Sequence, residues 1–305
     1  MTSGEPPIRG APLALSMRPR IELLLGRLAE GSGEQALADW SFSNLWLFRR
    51  AHDWRFVDGR WPLLEGRAYD GLRHVFPLFP LHEVPVSDWR ALLGDCAAFY
   101  PLSASQAAQL PPQVGSREAV RDDADYLYEA GSFAEYRGAG LRRKRQLAAR
   151  LEAAHAVSIA PYGEPLRAEA GQVLDGWLLD KGRSPGQADD LPCREALVAA
   201  AELGLAGWVL RADGVPAAFI LTETLRPGVD VVRFAKGRAA FVGGVQVLFR
   251  HHARHGAPGA GGPPRWLNFE QDLGLANFRR TKLSYQPAAL LEKFRVRPRC
   301  GTLSG

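Results

Sequence analysis

Along this chain, short runs in which apolar and polar positions alternate give way to helical spacing, and the switch recurs in each half. In the second half AVSIAP (156–161) reads as a strand, and helical stretches follow near 165–181 and 191–203. Two alternating runs in GWVLRADGVPAAFILTET then flank Asp213-Gly214, a hairpin signal because a tight turn needs positive φ at its centre. DVVRFAKG (230–237) is a third strand. It precedes a helix near 242–255, the strand WLNFEQD, a short helix and a last strand near 288–296. The first half repeats the device more weakly. Helical segments at 17–30 and 34–50 lead to a hairpin at Asp58-Gly59, a strand in HVFPLFP, a helix in SDWRALLGDCAAFY, and YLYEA as the strand that closes the first sheet. HGAPGAGGPP (255–264) interrupts the second unit and reads as a loop within it.

The second-half succession, β-α-α-β-β-β-α-β-α-β, matches the GNAT acyltransferase fold. It predicts an α/β (α+β) chain of tandem GNAT-like domains, each with a mixed, mostly antiparallel sheet flanked by helices. The expected division is a loose leader at 1–16, a degenerate first domain at 17–135, and a second domain at 136–300. A basic helix near 131–155 forms the entry to the second domain.

At 305 residues the chain has ample core for two such units. No run approaches the roughly 18–20 apolar residues of a membrane helix. Cys96, Cys193 and Cys300 are odd in number and widely spaced, which argues against a disulfide framework or zinc site and for a reducing cytoplasm. The net charge of +5 favours anionic partners, without choosing between nucleic acid and acidic lipid.

Candidate chemistry concentrates in WLNFEQDLGLANFRRTKLSYQP (266–287). Strand alternation puts Asn268, Glu270 and Asp272 on one face, opposite Leu267 and Phe269. Gly274 permits a reversal, and Arg279, Arg280 and Lys282 follow within one helical turn. Spacing alone leaves two readings open: a carboxylate-and-cation site, or a charged strand end beside a solvated helix. A second candidate is the crossover FAKGRAAFVGGVQVLF. There Lys236 and Arg238 bring charge, and glycines bring little bulk, to a helix N-terminus whose amides can hold an anion or oxyanion. Its glycines fall late for the Q/R-x-x-G-x-G/A pattern of coenzyme-A-dependent members of the fold, and a plain flexible turn remains the other reading. In GAGLRRKRQLAAR the cations wrap a helix at about 100° per residue, so a solvated basic face explains most of them. His251, His252 and His255 put two histidines one turn apart without an HExxH motif, and Ser41, Ser43 and Asn44 lack a nucleophile elbow. Both groups read as helix-end positions.

Three blocks in order, WSFSNLWLFRR (40–50), YLYEAGSFAEYRGAGLRRKRQ (126–146) and NFEQDLGLANFRRTKLSYQP, resemble the phosphatidylglycerol lysyltransferase C-terminal domain family. The resemblance spans most of 40–297. It implies a tandem GNAT pair and an aminoacyltransferase that takes its amino acid from aminoacyl-tRNA and uses no further cofactor. The acceptor would be a phosphatidylglycerol-like lipid or another anionic headgroup, a small molecule or a peptide. Glu270 and Asp272 suit orientation of the amine or proton removal, Tyr285 proton donation to the leaving oxygen, and Arg279 and Lys282 the donor's terminal phosphate. Lys144 and Arg145, matching the family's Lys-Arg pair, are expected to reach a cleft between the halves and bind phosphate there. Localisation would be cytoplasmic, including the inner membrane face. An acyl-CoA-dependent N-acyltransferase, and a non-catalytic module that binds tRNA or anionic lipid, are the alternatives.

Overall fold

The computed structural model describes residues 7–29 and 37–298. The chain divides into two compact units: Met1–Ala124 together with Leu291–Gly305, and Asp125–Leu290. In chain order the first contains β1 (Ala11–Pro12), α1 (Arg18–Ala29), α2 (Phe42–Leu47), α3 (Arg49–His52), β2 (Arg55–Val57), β3 (Leu63–Arg67), β4 (Arg73–Pro77), α4 (Trp89–Leu93), β5 (Ala98–Leu102), α5 (Ala104–Gln109) and β6 (Gly115–Ala119). The second runs β7 (Asp125–Glu129), α6 (Ala130–Glu135), α7 (Arg142–Ala154), β8 (Val157–Pro161), α8 (Arg167–Asp180), α9 (Asp190–Val198), α10 (Ala200–Leu203), β9 (Ala206–Ala212), β10 (Val215–Arg226), β11 (Val229–Gly237), α11 (Gly244–His255), β12 (Trp266–Asn268) and α12 (Ala276–Leu283). Two strands end the described chain, β13 (Ala289–Leu291) and β14 (Phe294–Pro298). Among the described residues no helix is long and apolar enough to cross a membrane.

Two mostly antiparallel seven-stranded sheets result, in the orders β1-β2-β3-β4-β5-β14-β6 and β13-β7-β12-β11-β10-β9-β8. The tandem GNAT-like architecture is therefore present, but the halves exchange strands. YLYEA does not close the first sheet: it is β7, between β13 and β12 of the second. The expected last strand is two strands, and β14 returns to the first sheet between β5 and β6. Buried charge explains the choice. On β14, Arg295 meets Asp70 at 2.5 Å and Asp123 at 2.7 Å, and just before it the fully buried Lys293 pairs with Asp39. A buried cation is tolerated only where carboxylates wait for it. The division accordingly falls at 124/125, ahead of the basic helix. Nor is the leader wholly loose, since Ala11 and Pro12 pair with Phe56 and Arg55, and Leu13 is buried.

The two Asp-Gly signals differ in outcome. Asp213 and Gly214 both take positive φ (51° and 78°) and join Ala212 directly to Val215. Asp58 and Gly59 do not adopt positive φ, and residues 58–62 form a longer connection between β2 and β3.

The second unit's sheet positions the candidate chemistry. β11 and β12 run parallel but pair only over Val229–Val231 and Trp266–Asn268, after which the strands part. Beneath them lies an aromatic core in which the Phe133 and Tyr285 rings stack at 5.3 Å and Phe249 and Phe269 approach to 4.8 Å.

Candidate functional site

β12 ends at Asn268, so the alternation expected to carry Glu270 and Asp272 onto its face stops there. Glu270 instead adopts positive φ (57°), as do Leu273 (56°) and Gly274 (71°). Non-glycine residues rarely hold this conformation unless their surroundings impose it. Here the surroundings are polar. The Asn268 side chain accepts from the Glu270 amide at 2.7 Å and donates to Asp125 at 3.1 Å, while the Tyr126 amide donates to the Glu270 carbonyl. Lys282 Nζ reaches the Phe269, Glu270 and Gln271 carbonyls at 2.6, 3.1 and 2.5 Å. One ammonium thus supplies these carbonyls with donors, Glu270's alongside the Tyr126 amide of β7.

The same frame separates the two carboxylates. Asp272 is fully buried and accepts from Tyr126 Oη at 2.5 Å, from Arg279 at 2.8 and 3.0 Å, and from the Gly274 amide at 2.9 Å. Desolvation opposes its charge, but these donors outweigh it and hold the carboxyl below the usual carboxylate range. Arg279 is likewise committed to this pair. Glu270 is only partly buried at the residue level, and its Oε1 accepts from Arg233 at 2.6 Å. Its pKa is raised, chiefly by desolvation, against the lowering effect of Arg233 and Lys282. Arg233 is shared with Glu223, which it meets at 2.7 Å, so two carboxylates divide one guanidinium.

Sequence reasoning missed Arg233, Glu223, Tyr126 and Asp125. A signal existed: an arginine inside the apolar strand run VVRFA needs a carboxylate partner if it is buried. The register explains its position. Leu221 pairs with Phe234 but Thr222 with Val232, which leaves Arg233 as the extra residue of a β-bulge.

Past the parting of the strands, Gly243 caps α11 at φ 111°. A Cβ there would stand 2.2 Å from the Leu147 carbonyl oxygen, so only glycine fits. The first amides of α11 have no intrahelical acceptor and present partial positive charge. Gln246 in this turn donates to the Tyr285 hydroxyl at 2.8 Å. Tyr285 is buried, its phenol is pushed up to about 12 by desolvation, and Lys144 Nζ sits 3.9 Å over its ring. Burial lowers the Lys144 pKa, with Arg143 adding to the effect. Arg145 donates to the Tyr136 carbonyl at 2.5 Å. Both cations of that pair therefore have partners inside the second unit. Lys236 is buried against Asp189 at 2.6 Å and lies 4.1 Å over Trp177. Arg238 meets Asp180 at 3.0 Å. The structure thus brings Asn268, Glu270, Asp272, Arg279 and Lys282 into one frame and Lys144 with Tyr285 into another, while it ties Lys236 and Arg238 to acidic residues in the α8–α9 region. His252, expected at a surface helix end, is buried with Asp230 at 2.8 Å. No cluster of three or more metal-binding side chains occurs among the described residues.

Comparison with solved structures agrees with this architecture. A conserved protein of unknown function from Bacteroides thetaiotaomicron VPI-5482 aligns with a TM-score of 0.79 and 21% identity, covering 96% of this chain and 99% of that one. The structure of L-PGS from Bacillus licheniformis gives 0.61 and 17%, covering 96% and 94%. The C-terminal (DUF2156) domain of a putative lysylphosphatidylglycerol synthetase from Agrobacterium fabrum gives 0.59 and 16%, covering 93% and 94%. No curated protein matches in sequence. These likenesses show the fold. Residues 34–297 match the family described as phosphatidylglycerol lysyltransferase, C-terminal, and the chain belongs to that family.

Proposed function

We propose that the second unit transfers an aminoacyl group from aminoacyl-tRNA to a hydroxyl or amine acceptor, with Glu270 as the general base. The observation that carries this reading is the contrast between the two carboxylates. Asp272 is saturated by donors, whereas Glu270 has a raised pKa, partial exposure and an imposed backbone conformation where two parallel strands part. A base near its working pH removes a proton best.

In this scheme the acceptor oxygen or nitrogen attacks the ester carbonyl as Glu270 takes its proton. In this reading the carbonyl becomes a tetrahedral oxyanion that the first amides of α11 would stabilise. Collapse expels the ribose oxygen of the tRNA terminus, which recovers the proton from Glu270. Because the ester is already activated, alignment and oxyanion stabilisation are the protein's main tasks, and no cofactor is required. Asp272, Arg279 and Lys282 act as the frame that fixes Glu270. Tyr285 packs and orients Gln246. Lys144, placed over the Tyr285 ring beside the first turn of α11, is the cation assigned to the donor's terminal phosphate.

The late glycines of the α11 entry favour this donor over acyl-CoA. A lipid such as phosphatidylglycerol is the acceptor that the family membership favours, and a cytoplasmic site, including the inner membrane face, suits both substrates.

Purified protein should be warmed with an aminoacyl-adenosine mimic or with acetyl-CoA and its unfolding followed. Stabilisation grows with the ratio of ligand concentration to dissociation constant, so a tenfold preference for the mimic appears as about 1.4 kcal/mol at saturation. Greater stabilisation by acetyl-CoA would replace this reading with an acyl-CoA-dependent transferase. Incubation with mixed radiolabelled aminoacyl-tRNAs and a lipid extract then tests transfer directly.

A further inference from the structure

The segment that follows Asp272 turns its apolar side chains outward. Leu275 is 46% exposed and Phe278 45%, and Leu273 beside them is only partly covered. No residue of α12 is buried, because polar contacts fix the helix: Arg279 to Asp272, and Lys282 to three backbone carbonyls. A surface helix normally turns its apolar stripe inward and its cations to water. Here two cations point in, and the apolar residues of the turn and first helical residues stay in solvent. Farther along, Leu283 at the end of the helix is also 46% exposed, but Thr281 and Ser284 around it are polar, so the apolar residues cluster at the tip. Beyond the buried Asp272 at its base, the segment carries charge of one sign. From Leu273 to Leu291 the sequence holds no acidic residue and three cations, of which Arg280 is exposed.

We propose that the Leu273–Phe278 tip inserts into the surface of an anionic bilayer, with Arg280 resting on headgroup phosphates. Exposed leucine and phenylalanine gain free energy by entering hydrocarbon, whereas a nucleic-acid backbone would reward only the cation. The adjacent exposed cation matches a negatively charged surface, while the carboxylates at the base of the tip, Asp272 and Glu270, are paired with Arg279 and Arg233. Glu270 lies three residues before the tip, so docking would bring the candidate base to the membrane face. The proposal goes beyond the transfer reaction and is tested by binding without turnover.

Flotation of the full chain with vesicles of phosphatidylcholine alone, or mixed with phosphatidylglycerol or phosphatidylserine, reads it directly. The protein is expected to float with both anionic mixtures and little with the neutral one. Each half-exposed apolar side chain has about half its transfer free energy left to gain, or about fivefold in partitioning. The Leu275→Ser, Phe278→Ser double variant should therefore float about twentyfold less at every salt concentration. Arg280→Gln should lose about fivefold at low salt and flatten the salt dependence. All variants should melt as wild type does, since the altered side chains are exposed. Failure to float with anionic vesicles, or undiminished flotation of the double variant, overturns the proposal. Flotation with phosphatidylglycerol but not phosphatidylserine would assign binding to acceptor recognition instead. A dimer dissolved by the double variant would assign the tip to a second copy of the chain. Loss of tRNA affinity in Arg280→Gln, without vesicle binding by wild type, would assign the cation to RNA.

Discussion

Replacing Asp272 with asparagine keeps the shape of the side chain and removes its charge, which makes it a sharp test of the frame around Glu270. In the native protein this carboxylate takes four hydrogen bonds, two of them from one guanidinium, and has no exposed surface. Asparagine can still accept from Gly274, but its amide donor faces the donors of Arg279 and Tyr126. Breaking a buried ion pair costs about 3–5 kcal/mol. Arg279 keeps 35% of its side-chain surface in water, and that contact lowers the expected loss to about 2–3 kcal/mol. For a unit of this size the loss corresponds to a fall of roughly 5–10 °C in melting temperature. Urea unfolding of the second unit's transition measures it. The pH dependence has a definite sign. The folded pKa of Asp272 lies below its unfolded value, so its contribution is complete above the ordinary carboxylate range and is lost as pH falls below about 4. Wild type and variant should therefore converge in acid. A variant within about 0.5 kcal/mol of wild type at neutral pH, or a gap that stays constant into acid, would refute the structural assignment of Asp272.

Glu270→Gln should behave in the opposite way: stability within about 1 kcal/mol of wild type, because Arg233 keeps Glu223, but transfer reduced by about a hundredfold or more. Wild-type transfer should rise with pH through a pKa above the ordinary glutamate value, because the base must be ionised, and the variant should lack that limb. Lys282→Met should cost about 2–3 kcal/mol in urea unfolding by removing the Nζ donor from three carbonyls, of which Glu270's keeps the Tyr126 amide, while the salt dependence of donor binding stays unchanged. A reduced salt slope would return Lys282 to phosphate binding. Gly243→Ala should destabilise by at least about 2 kcal/mol, read by thermal melting, because its φ of 111° and the Leu147 carbonyl leave no room for Cβ.

The parts legible in the sequence were those set by neighbours a few residues away. The Asp213-Gly214 hairpin, α8, α9 and α11 follow from local turn chemistry and periodicity, and the structure has them where the pattern puts them. What stayed hidden depended on distant partners. Nothing within YLYEA says that its neighbour is a strand some 140 residues later, because a strand's pairing is decided by the edge and charges offered to it. The end of β12 is a sharper case. NFEQD alternates well enough to continue as a strand, and locally nothing stops it. Lys282 does, from more than ten residues downstream, by supplying donors that no adjacent strand offers. Together with the Asn268 side chain and the Tyr126 amide, that contact holds Glu270 at positive φ, off the face it would have shared with Asp272. The alternation that the pattern implied for Glu270 and Asp272 therefore stops before it reaches them. The strand ends at Asn268, ahead of both carboxylates, and the chain beyond it gives them different partners: Asp272 takes Arg279, Tyr126 and the Gly274 amide, while Glu270 takes Arg233.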